Sequence, residues 1–154
     1  MKNFERFKLH ADTDQFVQAS IYGMYSVYSM IEKNIGTYLK QYNLSSSKFN
    51  IMMVIKHEGG EKGISQIDIG KKLIVTASNM TKQIDKLINE DLVERFSQEG
   101  DRRINLIKVT KKGSDLLDII WPGYIEKISN IANKLDIKEK SSLTQILIKW
   151  FNKL

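Results

Sequence analysis

The groups in this chain best suited to chemistry are amides and cations at helical spacing. Ser78, Asn79, Lys82 and Gln83, with Lys86 further on, share one side of a segment whose other side carries Ala77, Met80, Ile84, Leu87 and Ile88. Asn and Gln amides can pair with adenine edges through two hydrogen bonds, and a lysine can reach guanine acceptors. A solvated polar helix face is the plainer reading of the same pattern. A second group is Asp101-Arg102-Arg103, which follows Gly100 between two strand-like runs. An arginine at a hairpin tip can enter a narrow minor groove, where the negative potential is enhanced. Asp101 would repel phosphate, so its expected role is to hold a neighbouring arginine by a charge-assisted hydrogen bond. Which arginine inserts and which braces stays open, and a solvated turn with a surface ion pair is the plain alternative.

Other chemistries find little to use. The chain has no cysteine, which excludes thiolate metal sites, disulfides and thiol redox switches. Its two histidines, His10 and His57, lie far apart with no metal-ligand spacing around them. His57 sits near an expected helix end, where its bland role is a partner for the helix dipole. No HExxH, GxSxG or GxGxxG occurs, and Gly70-Lys71-Lys72 lacks the rest of a phosphate loop. An enzyme is therefore not expected, and neither is a cofactor or a metal.

The 154 residues suffice for one domain with its own core, and 42% hydrophobic against 27% charged residues reads as globular. The net charge of +6 favours an anionic partner. The excess is not confined to one place: residues 62–112 hold eleven basic against seven acidic side chains, and residues 138–154 hold four against one. The opening residues are polar and charged, unlike a secretory signal. The longest uncharged run, Gln15 to Ile31, is short and too polar for a bilayer span. No membrane partner is expected, and the expected compartment is the cytoplasm.

The elements that must position these groups follow from periodicity. Residues 13–41 form a long helix in which Val17, Ile21, Met24, Tyr28, Ile31, Ile35 and Tyr38 step by four and three. That stripe wants a partner helix, either within the chain or in a second copy. A helix capped by Ser45 or Ser46 carries Phe49, Met52, Met53 and Ile55 and stops at Gly59-Gly60. Ile64 begins a brief strand. A short helix follows Ser65, with Ile67, Ile69 or Leu73 turned inward, and Thr76 can cap the amide-bearing helix. Two short helices a few residues apart are a helix-turn-helix arrangement.

Beyond it the period changes to two. Residues 92–96 and 104–109 read as strands around a seven-residue tip. Thr110 caps a further helix, in which Pro122 is expected to make a kink or a short break. Leu117, Trp121, Tyr124, Ile128, Ile131 and Leu135 step by four and three. A last helix follows Asp136, with Leu143, Ile146, Leu147, Trp150, Phe151 and Leu154 on its apolar side. The fold class is mainly α, an α+β winged helix: residues 45–110 form a winged helix-turn-helix lobe in a single chain of 1–154. Long helices at 13–41 and 111–154 are expected to dimerise.

At this point the sequence resembles the MarR-type transcription factors over roughly residues 13 to 154. The strongest match is Asp101-Arg102-Arg103 running through Ile104-Asn105-Leu106-Ile107-Lys108-Val109 to Thr110-Lys111-Lys112-Gly113, which looks like the family's wing and following strand. Leu44 to Phe49 and Ser65 to Leu73 resemble two of its helices. Gly70 stands where the family usually has alanine, and Asp91 where it usually has glycine. Asp tolerates left-handed backbone better than most residues, so a small stability cost is expected at Asp91 and no change of fold.

The resemblance implies a sequence-specific regulator of transcription, expected to be a repressor, that binds double-stranded DNA as a homodimer at a pseudo-palindrome. Thr76, Ser78, Asn79, Lys82 and Gln83 would face the major groove, and Asp101, Arg102 and Arg103 would form the wing contact. Ser65, Lys71 and Lys72 would touch phosphates, which position without carrying sequence information. It also implies a pocket for a small aromatic or lipophilic effector between the dimerisation helices and the lobe, for which Tyr22, Tyr25, Met52 and Met53 are candidates. Aromatic and Met residues at helical spacing are more often core. The rival reading is a winged helix that binds proteins without binding DNA, since one scaffold can serve both.

Overall fold

A computed structural model of the chain describes residues 15–73, 77–98 and 101–154, with backbone alone at 15–18, 77–78, 98 and 101–104. The order is α1 (Gln15–Lys40), α2 (Ser46–Val54), a π-helical turn (Ile55–Gly59), a 3-10 turn (Gly60–Lys62) and β1 (Ile64–Ser65). Then come α3 (Gln66–Lys72), α4 (Ala77–Asn89), β2 (Val93–Gln98), β3 (Asp101–Val109), α5 (Lys111–Ala132) and α6 (Ile137–Phe151). The three strands form one antiparallel sheet in the order β1-β3-β2. This is the mainly α winged helix that the sequence leads one to expect.

Helix starts are set by local hydrogen bonds that satisfy otherwise orphaned N–H groups. The Ser45 hydroxyl accepts from the Lys48 N–H, Ser65 from Asp68, and Thr110 from Gly113. Asp136 and Glu139 form a reciprocal capping box at α6. After α2 the chain does not simply stop. It widens into the π-helical turn and leaves through Gly60 and Gly63, both at positive φ (48° and 72°), which a side chain would resist.

One core joins the middle of the chain to half of each long helix. Ile35 and Leu39 of α1 meet Phe49, Ile51 and Met52 of α2, with Ile69, Met80, Ile84, Leu87, Val93, Ile107, Leu117 and Ile120. The stripe along α1 therefore divides. Ile35 is buried and Ile31 and Tyr38 pack against the core, while Ile21, Met24 and Tyr28 stay exposed. No residue of α6 is buried. Among the described residues no helix is long and apolar enough to cross a membrane.

Of the alternatives Ile67, Ile69 or Leu73 for the inner side of the short helix, Ile69 is buried and Leu73 packs against the core, while Ile67 is 72% exposed. The extent of the wing is corrected. The strands are longer than 92–96 and 104–109, so Arg102 and Arg103 lie on strand backbone and not in a seven-residue loop. The sequence beyond Phe96 has no apolar alternation before Ile104 to reveal the strands' length. Of the kink or short break expected at Pro122, the break does not occur: α5 is a single helix through it. Leu117 and Ile120 are buried before the proline, and Tyr124 and Ile128 pack on the core after it. The Tyr38 hydroxyl donates to the Ile120 carbonyl at 2.8 Å, tying the same point to α1.

Candidate nucleic-acid interface

The inner face of α4 is anchored by Met80, Ile84 and Leu87, all fully buried. That anchoring fixes which side points out. Asn79, Lys82 and Lys86 are exposed, and Gln83 is half-buried beside them. Thr76 lies outside the described residues, and Ser78 is described by its backbone in α4 alone. The C-terminal end of α4 is gripped by two cations, which suits the negative end of its dipole. Lys48, itself buried, pairs with Glu90, and Lys112 donates to the Glu90 carbonyl at 2.7 Å. The chain then turns at Asp91, whose φ of 59° is the left-handed geometry expected there.

The wing follows as β2 and β3, with Val93 opposite Val109 and Phe96 opposite Leu106. The register shifts between Ser97 and Gln98, and Gln98 pairs with Asp101. The backbone places Asp101, Arg102 and Arg103 at the start of β3, on the far end of the hairpin; their side chains lie outside the described residues.

The cations of the lobe divide into committed and uncommitted ones. Lys71 pairs with Asp68 at 2.7 Å, Lys72 with Glu58 at 3.3 Å, and Lys108 with Glu94 at 3.3 Å. The Lys71 ammonium, then the Ser65 hydroxyl, hold the Asp68 carboxyl below the usual carboxylate range. Lys82 and Lys86 make no ion pair among the described residues. The outer side of α4 thus offers unneutralised charge next to amides. Ser65 is occupied as the cap of α3, with its hydroxyl 2.7 Å from Asp68 Oδ2.

Of the four effector candidates, Met52 is fully buried in the core and Met53 packs against it, whereas Tyr22 and Tyr25 stand exposed on α1, Tyr25 to 70%. None of the four lines either of two surface clefts, one at the start of α5 and one between α3, α4 and the sheet.

Two polar links between elements are not evident from the sequence. Gln66 Nε2 donates to Thr81 Oγ1 at 2.6 Å, joining α3 to α4, and Arg95 Nη2 donates to Asp85 Oδ1 at 3.0 Å, joining β2 to α4. Helical spacing puts Thr81 and Asp85 on one flank of α4, but nothing local pairs them with Gln66 or Arg95.

A helix-turn-helix with a core-anchored second helix, followed at once by a two-stranded hairpin, defines a winged helix-turn-helix protein. Residues 44–104 match the model of the MarR family. The chain is 26% identical to the HTH-type transcriptional regulator MhqR of Bacillus subtilis over 120 residues, which is 78% of this chain and 81% of that protein. Its fold matches a mutant MarR from E. coli complexed with operator DNA, with a TM-score of 0.79 and 19% identity over 90% of this chain and 98% of that one. AbsC, a MarR family transcriptional regulator from Streptomyces coelicolor, is similar with a TM-score of 0.82 and 16% identity, covering 94% and 96% of the two chains.

Proposed function

We propose that this protein is a sequence-specific, double-stranded DNA-binding regulator of transcription that acts as a homodimer, with repression as its mode. The observation that carries this is the outer side of α4, where Lys82 and Lys86, which make no ion pair among the described residues, stand beside Asn79 and Gln83, next to a hairpin whose backbone brings two arginines to its far end. α4 would enter the major groove by its N-terminal half, with Ser78, Asn79, Lys82 and Gln83 on base edges. Arg102 and Arg103 would follow the backbone to the adjacent minor groove. Lys71 and Lys72 would exchange their exposed carboxylate partners for phosphates at little cost, because such pairs are weak in water. The regulator named as a relative and the operator complex named among the similar structures support the same reading.

A second copy is the natural cover for the exposed apolar residues of α1 and α6. Two apolar-faced helices at opposite ends of the chain can exchange contacts about a two-fold axis. The two α4 helices would then meet half-sites about 10 base pairs apart. The test is a gel shift with DNA from upstream of the protein's own gene, repeated as salt is raised. If the dimer neutralises about 6–10 phosphates, affinity should fall roughly 10³–10⁵-fold between about 50 and 200 mM salt. Absence of a shift at any salt would overturn the reading.

A further inference from the structure

A cleft of about 350 Å³ separates three parts of the reading head: α3, α4 and the sheet. Gln66, Ile67, Thr81, Arg95 and Asn105 are among its walls. Apolar packing fixes the inner side of α4, but this flank is not filled. Gln66 donates to Thr81 within its walls, and Arg95, also in its wall, donates to Asp85 of α4. The second bond is the one that reaches the wing. Arg95 sits in β2 opposite Ile107, three residues before β2 ends at Gln98 opposite Asp101, with the register shift between Ser97 and Gln98 in between.

Asp85 is an odd residue to find there. It lies one turn from Lys82 and next to Lys86, on the helix offered to a polyanion, where by Coulomb's law alone its carboxylate opposes phosphate. Stability does not explain it either, since its side chain is 51% exposed, that of Arg95 is 36% exposed, and such pairs add little. What the pair does supply is placement. A single charge-assisted hydrogen bond from Arg95 Nη2 to Asp85 Oδ1 fixes the spacing of two elements that, on the DNA-binding reading, meet two different grooves.

We propose that Asp85 and Arg95 are positioning residues for DNA selectivity, setting how the wing sits against α4; this rests on the DNA-binding reading above. The two roles open to Asp85 predict opposite results when its charge is removed. As a mere repulsive charge, its loss tightens binding to all DNA alike. As a positioning residue, its loss leaves non-specific binding equal or tighter while binding to the preferred sequence weakens.

The experiment uses the full chain and two duplexes of equal length, one enriched by the wild-type protein from a random pool and one scrambled. Affinities are measured at fixed salt, alongside thermal midpoints. Asp85→Asn is expected to lower the ratio of specific to non-specific affinity by about tenfold, similar to one mismatched base pair, with the midpoint nearly unchanged. Arg95→Gln should reproduce the loss from the other side, and Asp85→Glu should restore most of the ratio. An unchanged ratio in Asp85→Asn, affinities rising together on both duplexes, or a collapse of the midpoint would each overturn the proposal. A wild-type protein that enriches no sequence would instead overturn the DNA-binding reading itself.

Discussion

Gly70 and Gly113 show how differently one residue type can be used. A Cβ at Gly70 would meet nothing within 4 Å, and its φ is not in the left-handed region. Glycine in a helix costs about 1 kcal/mol relative to alanine, so Gly70→Ala should raise unfolding stability by about 0.5–1 kcal/mol. At Gly113 a Cβ would run into the Leu92 carbonyl oxygen and the Val109 side chain. Gly113→Ala should therefore lose about 2–3 kcal/mol or more, the cost of forcing atoms into a packed site. Urea melts of the two variants check both signs; equal effects would contradict the packing described around α5. The departure at Gly70 thus leaves stability unrealised, while the glycine that resembles the family's is sterically required.

Tyr38 fixes the junction of α1 and α5 at the proline. Burial, helped by the neighbouring Tyr42 hydroxyl, raises its pKa from 10.0 to about 12. The folded state favours the neutral phenol, so this contribution is fully present below pH 10 and is lost as pH rises towards 12. Tyr38→Phe should lower stability at neutral pH by about 0.5–1.5 kcal/mol, the worth of one hydrogen bond, and flatten the alkaline limb of the stability curve. A wild-type curve that is already flat between pH 10 and 12 would contradict this. In the wing, Arg102→Ala and Arg103→Ala should each weaken DNA binding strongly with little change in thermal midpoint, because most substitutions away from a core, a cap or a buried polar network change stability little. Unaltered binding in both would remove the wing from the mechanism.

Much of this level was readable beforehand. Caps at Ser45, Ser65, Thr110 and Asp136 are local chemistry, and the stripe on α4 is local periodicity. The length of the wing was not, because polar strands carry no alternation. Nor was the link from Asp85 to Arg95, because it joins elements whose approach only the tertiary fold decides. The unbroken α5 was hidden for the same reason: packing on both sides of Pro122 overrides its local preference.

The whole molecule is a small core carrying two kinds of unfinished surface. One is polar and cationic, at α4 and the backbone start of β3; the other is apolar, at Ile21 to Met30 of α1 and along one side of α6 from Leu143 to Phe151. A seam read from the sequence as serving either the core or a partner turns out to be divided between them, with Ile35 buried and Tyr28 exposed on the same stripe. The two surfaces are coupled through geometry: covering the apolar one with a second copy fixes the distance between two polar ones. The most direct measurement is the affinity of the purified protein for a duplex carrying two enriched half-sites, as the spacing between them is varied. Binding should be tightest near 10 base pairs centre to centre, drop steeply when about half a turn is inserted, and recover in part after a full turn. Binding that ignores the insertion, or a lone half-site held as tightly as the pair, would contradict the account.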